Sequence, residues 1–151
     1  NKDRGKTMKK ISYDGKVVIV TGAGAGPGRE YALEFARRGA QVVVNDLGAA
    51  VDGSGATNSA ADQVVEEIRK EGGKTVANYD SVATVDGGKN IVSTALNTFG
   101  RIGVLVNNAG FLKDKSFNKM SIDEWDAVMG VHLRGAFCVT QPAVAAMREK
   151  G

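Results

Sequence analysis

The densest chemistry in this sequence is a glycine turn. Thr21-Gly22-Ala23-Gly24-Ala25-Gly26-Pro27-Gly28 follows directly on the β-branched run Val17-Val18-Ile19-Val20 and opens onto a helical pattern. Glycines between a strand and a helix let the backbone turn tightly and approach a pyrophosphate. The charge of that group then faces the free N–H groups of the helix N-terminus. Pro27 suits the first helical turn, which has no use for its missing N–H. At the end of the next apolar run stands Asp46, 18 residues beyond Gly28. A carboxylate there accepts hydrogen bonds from the adenosine ribose hydroxyls and repels a 2′-phosphate, which favours NAD over NADP. The plainer alternative is a tight turn that binds nothing and an acid that caps a strand.

Little else in the chain could carry chemistry alone. With one cysteine, Cys138, and one histidine, His132, the sequence has no internal disulfide and no all-cysteine metal site, and it argues against protein-built zinc. Cys138 has no histidine or acid at a suitable spacing and reads as core. The net charge of +3 is a property of the tail: residues 1–10 carry +4 and the other 141 sum to −1. No basic face and no aromatic interleaving remain to bind nucleic acid. No apolar run approaches the ~18 residues of a membrane span. Residues 1–11 read as a flexible basic leader without the apolar centre of a signal peptide.

The elements that must position these residues follow from periodicity. Residues 17–20 form a continuous apolar strand of the kind buried on both faces. Ala32, Phe35, Ala36 and Gly39 fall at helical spacing, with Gly39 placed to end the helix. Gln41 to Asp46 is a second strand, and the Gly/Ala/Ser-rich stretch Leu47 to Ser59 a loop. Ala61, Val64, Val65 and Ile68 mark a second helix, stopped by Gly72-Gly73. Thr75 to Asp80 is a third strand, Gly88 to Phe99 a third helix closed by Gly100, and Val104-Leu105-Val106 a fourth strand. A long helix is expected from about Ser121 to Glu149, with a capping box between Ser121 and Glu124 and a kink at Pro142. Alternating strands and helices with right-handed crossovers give the N-terminal half of a doubly wound, Rossmann-type α/β sheet, strand order 3-2-1-4. Residues 12–151 then form one nucleotide-binding half-domain.

Thr-Gly-x-x-x-Gly-x-Gly at 21–28, Asn-Asn-Ala-Gly at 107–110 and the acid Asp80 at the end of the third strand together resemble the short-chain dehydrogenase/reductase family. Val-Asn-Asp-Leu-Gly at 44–48, Asn-Tyr-Asp-Ser-Val at 78–82 and Val-His-Leu-Arg-Gly-Ala-Phe at 131–137 are similar to a narrower branch, the (3R)-hydroxyacyl-CoA dehydrogenases of multifunctional β-oxidation enzymes. The resemblance implies that Gly22, Ala25, Gly26 and Gly28 hold the pyrophosphate of NAD and Asp46 its ribose. It implies that Asp80 bonds the adenine amino group and that Ser81 and Val82 lie at the adenine edge. Asn107, Asn108, Ala109 and Gly110 would lie along the adenosine side and steady the fourth strand. It further implies an acyl-CoA substrate, a homodimer built through the 121–149 helix, and a peroxisomal location in a eukaryote or a cytoplasmic one otherwise.

The family's chemistry uses a Ser and a Tyr-x-x-x-Lys. Tyr13, Tyr31 and Tyr79 are followed four residues on by Val17, Phe35 and Ala83, so the motif lies outside these 151 residues and the chain alone is expected to be inactive. His132 stands where most of the family place an Asn that anchors a catalytic water. It reads either as a proton relay or as a core or supporting residue, because Trp125, Val128, Met129 and His132 form one helical stripe. Two other functions stay open at this point: a non-catalytic nucleotide-binding module, and a 3-oxoacyl-carrier-protein reductase. Asp46 counts against the second, since such reductases favour NADP.

Overall fold

In a computed structural model of the chain, residues 11–48 and 60–150 are described. The basic leader up to residue 10 and most of the loop after the second strand lie outside the described residues. The order is β1 Val17–Thr21, α1 Gly26–Arg37, β2 Gln41–Asn45, α2 Ala60–Lys70, β3 Lys74–Asn78, α3 Val85–Phe99 and β4 Val104–Val106. A 3-10 turn at Phe117–Lys119 leads to α4 Ile122–Met129, a π-helical segment Gly130–Arg134 and α5 Gly135–Lys150. All pairings are parallel and the sheet order is β3-β2-β1-β4, as alternation predicts.

The β-branched runs form central strands because both faces of the sheet are covered. Val18, Val20, Val42 and Val44 point to α1 and α2 and pack with Ala32, Leu33, Ala61, Val64, Val65 and Ile68. Val17, Ile19 and Val43 point the other way, to Ile91, Val92 and Ala95 of α3 and to Val139, Ala143 and Ala146 of α5. Burying each valine or isoleucine contributes ~1.5–3 kcal/mol, so β1, buried at all five positions, anchors the sheet. Cys138 is buried, as expected of a core residue.

Three expectations need correction. The third strand starts at Lys74 and ends at Asn78, so Asp80 lies beyond it in the turn. The stretch expected as one helix over 121–149 is not a single regular helix. Its irregularity is the π segment Gly130–Arg134, whereas α5 runs through Pro142 unbroken. A proline at 142 leaves the carbonyl of Cys138 without its helical donor. Gly88 of α3 approaches that oxygen so closely that a Cβ on it would stand at 2.1 Å. The neighbouring helix therefore covers the freed carbonyl. Finally, the stripe Trp125–His132 does not face the core, for both of those residues are exposed. The Ser121–Glu124 capping box is present in both directions.

Candidate functional site

Parallel register brings the C-terminal ends of the strands to one edge, with Thr21, Asn45 and Asn78 level with one another. The chain reverses direction across the sheet between β1 and β4, and ligands of open α/β sheets bind in that crevice.

The glycine turn fills the crevice with backbone. Gly22 has φ +62°, and a Cβ on it would lie 2.7 Å from the Cα of Ala109. At Gly28 a Cβ would meet the carbonyl oxygen of Gly22 at 2.3 Å and Nδ2 of Asn108 at 2.4 Å. Gly26 differs: its φ is +54°, but the space around its Cβ position is open. It begins α1, whose N-cap Ala25 offers no side-chain acceptor and whose first turn has no acid. The orphan N–H groups of this turn suit an anion such as a diphosphate.

Asp46 is fixed from two sides. Its Oδ2 accepts from the Gly24 N–H and its Oδ1 from the Gly48 N–H, each at 2.9 Å. Beyond β3, the Asp80 carboxylate accepts from Asn78 and Asn90. The Ser81 hydroxyl accepts from the Ala83 N–H at 3.2 Å. After β4, Asn108 donates from Nδ2 to the carbonyls of Thr21 and Gly22, both at 3.0 Å, which ties the fourth strand to the glycine turn. The hydroxyl of Thr21, not singled out by spacing, accepts from the N–H groups of Asn108 and Ala109 at 3.1 Å. Its signal was its place, the last residue of a buried strand before the first glycine.

Two adjoining hollows result. The larger, about 530 Å³, is lined by Gly22, Ala25, Gly26, Pro27, Asp46 and Asn108 with Gly110, Phe111, Leu112 and His132. The smaller, about 320 Å³, has Asp80, Ser81 and Val82 on its far side and shares Gly22, Asp46, Gly110 and Phe111 with the first. A two-lobed cleft with glycine backbone at its waist and a fixed carboxylate beside it fits a dinucleotide. Asn107 stands apart. It lines neither hollow and donates to the Thr140 hydroxyl at 2.9 Å, joining the end of β4 to α5.

His132 lies at the cleft rim rather than in the core, because the π segment turns it outward. Its Nε2 is 3.1 Å from the Phe111 nitrogen and 2.9 Å from the Phe111 oxygen, so it accepts from the one or donates to the other according to its tautomer. Its ring occupies the space a Cβ on Gly110 would need. The tyrosines are elsewhere: Tyr13 meets Phe35 edge-on, Tyr31 is exposed on α1, and the Tyr79 hydroxyl bonds the Asp62 carboxylate. No cluster of three metal-ligating side chains occurs among the described residues.

The short chain dehydrogenase family profile matches residues 16–151. Peroxisomal multifunctional enzyme type 2 of Mus musculus is 57% identical over 140 residues, which are 93% of this chain and 19% of that protein. A crystal structure of a short chain dehydrogenase from Mycobacterium avium superposes with a TM-score of 0.83 at 50% identity, over 90% of this chain and 47% of the other. Full-length peroxisomal multifunctional enzyme type 2 from Drosophila melanogaster superposes with a TM-score of 0.72 at 46% identity, over 93% of this chain and 21% of the other. The chain thus spans from about a fifth to about half the length of these relatives.

Proposed function

The chain belongs to the short-chain dehydrogenase family, and from that premise we propose that it is the NAD-binding half of an oxidoreductase acting on (3R)-3-hydroxyacyl-CoA thioesters. The observation that carries the cofactor reading is the waist of the cleft, where glycine backbone and the Asp46 carboxylate face the same space. NAD, when bound, supplies a hydride acceptor for a secondary alcohol. Gly22, Ala25, Gly26 and Gly28 hold its diphosphate against the N-terminus of α1. Asp46 accepts from the adenosine ribose hydroxyls, its orientation set by the Gly24 and Gly48 N–H groups. Asp80, Ser81 and Val82 form the adenine end of the smaller hollow. Asn108, Ala109 and Gly110 form the opposite wall, and Asn107 steadies β4 from behind. His132 keeps the Phe111 backbone in place at the rim, within reach of a proton path to the solvent.

The substrate class rests on the residues that resemble the (3R)-hydroxyacyl-CoA branch and on the 57% identity to a peroxisomal multifunctional enzyme. The same likeness supports fatty-acid β-oxidation, a peroxisomal location in a eukaryotic source, and a homodimer through the 121–149 helix. The Ser and Tyr-x-x-x-Lys of the family complete the site from outside residues 1–151. The test is the rate of NAD reduction by the full-length protein with (3R)- and (3S)-3-hydroxyacyl-CoA. Turnover of the R enantiomer alone is expected. Turnover of neither would favour a nucleotide-binding module without catalysis.

A further inference from the structure

The ends of β2 and β3 carry a polar cluster with no role in the reading above. Asn45 and Asn78 stand side by side in register, 1% and 5% exposed, in a sheet whose first two strands are mostly valine and isoleucine. Buried amides are costly unless every bond is made. Here both amides bond one residue, Asp80. Asn45 Nδ2 donates to Asn78 Oδ1 at 2.8 Å and to the Asp80 carbonyl at 2.9 Å. Asn78 Nδ2 donates to Asp80 Oδ2 at 2.8 Å and to Thr94 Oγ1 at 2.9 Å, while its Oδ1 also accepts from the Asp80 N–H at 3.0 Å. Asn78 thereby uses the full capacity of a primary amide. From α3, Asn90 Nδ2 donates to Asp80 Oδ1 at 3.0 Å, and the Thr94 hydroxyl closes the circuit by donating to the Asn90 carbonyl at 2.9 Å.

Asp80 is therefore held at its N–H, its carbonyl and both carboxylate oxygens. Turning the chain after a strand requires none of this. A carboxylate gripped on both oxygens cannot rotate, so its remaining lone pairs keep a fixed direction, and Asp80 lines the smaller hollow beside Asn45, Ser81 and Val82. We propose that Asn78, locked by Asn45 and assisted by Asn90, is a positioning residue for base selection. The clamp fixes the Asp80 carboxylate so that the hollow takes a purine with an amino group at C6 and rejects one with an oxygen there. An exocyclic amine donates to the carboxylate, whereas a 6-oxo group presses lone pairs against a negative charge that cannot turn away. This deepens the NAD-binding reading and rests on it.

The test compares dissociation constants for NAD and nicotinamide hypoxanthine dinucleotide in the full-length protein, as wild type, Asn78→Ala and Asn90→Ala, each with a thermal melt. The wild type should prefer NAD by roughly tenfold or more, the worth of one hydrogen bond to a charged group. Asn90→Ala should reduce that preference several-fold, and Asn78→Ala should bring the ratio close to one. A merely structural cluster moves both constants together and leaves the ratio as in the wild type, and that result overturns the proposal. Asn90→Ala decides the matter alone if Asn78→Ala does not melt cooperatively, because Asn90 is exposed and only grips the carboxylate. A wild type that binds both dinucleotides equally also overturns the proposal, with the NAD-binding reading intact. A wild type that binds neither removes that reading and this proposal with it.

Discussion

Gly26 and Gly28 sit two residues apart and are required for different reasons. Gly28 has no room: a Cβ there would collide with the Gly22 carbonyl and the Asn108 amide. Gly26 has room but a left-handed backbone, with φ +54°. Gly28→Ala should therefore cost about 3 kcal/mol, the upper range for overpacking, and displace Asn108 from the turn. Gly26→Ala should cost only about 1 kcal/mol, the penalty of a left-handed L-residue. Urea denaturation of the two variants checks the order, and equal losses would show that the contacts at Gly28 yield without strain. The turn and Asp46 were legible in the sequence because glycine identity and strand-end position are local signals. Thr21, Asn45 and Asn78 were not, since a hydroxyl or amide closing a strand looks ordinary until register sets the strands side by side. The core reading of His132 fails for a related reason: a helical stripe assigns faces only while the helix keeps its period, and the π segment breaks it.

The long segment after β4 shows the same limit at the scale of an element. Its start was readable, because a Ser121–Glu124 pair states its own geometry. Its interruption was not, for nothing in the spacing of Gly130 and Gly135 distinguishes a π turn from an α turn. π turns often occur at functional sites, and this one carries His132 to the cleft rim. The cap should be measurable. Ser121→Ala removes the acceptor for the Glu124 N–H and is expected to cost about 1 kcal/mol. Glu124 also has a pH signature: the hydrogen bond from Lys115, followed by that from the Ser121 N–H, holds its carboxyl at about 2, below its ordinary 4.5. A depressed folded value means the contribution is complete above the unfolded value and fades as pH falls from about 4.5 towards about 2. The stability gap between wild type and Glu124→Gln should thus be constant at neutral pH and close over that acid range. A gap that widens with acid would contradict the assignment.

At the scale of the whole molecule, the alternation of strands and helices sufficed for the sheet order, because right-handed crossovers leave few ways to lay four parallel strands. What covers the outside depends on surfaces that one chain does not reveal. Among the described residues, the outer edge of β4 pairs with nothing, and Leu133, Phe137 and Val144 are 65%, 61% and 45% exposed along one helical region. An open edge beside exposed apolar side chains is a template for association. Residues 1–151 prepared alone should therefore sediment at micromolar concentration as oligomers or aggregates. A monodisperse species of 15.8 kDa with a sharp thermal transition would show instead that these faces need no partner. The account rests most heavily on the carboxylate at the waist of the cleft, and titration of the full-length protein with NAD and NADP, as wild type and as Asp46→Ala, addresses it directly. The wild type should bind NAD more tightly than NADP, and the variant should lose at least about tenfold of that preference, chiefly by binding NADP better. An unchanged ratio would mean that Asp46 does not face the ribose, and the cofactor reading of this cleft would fall.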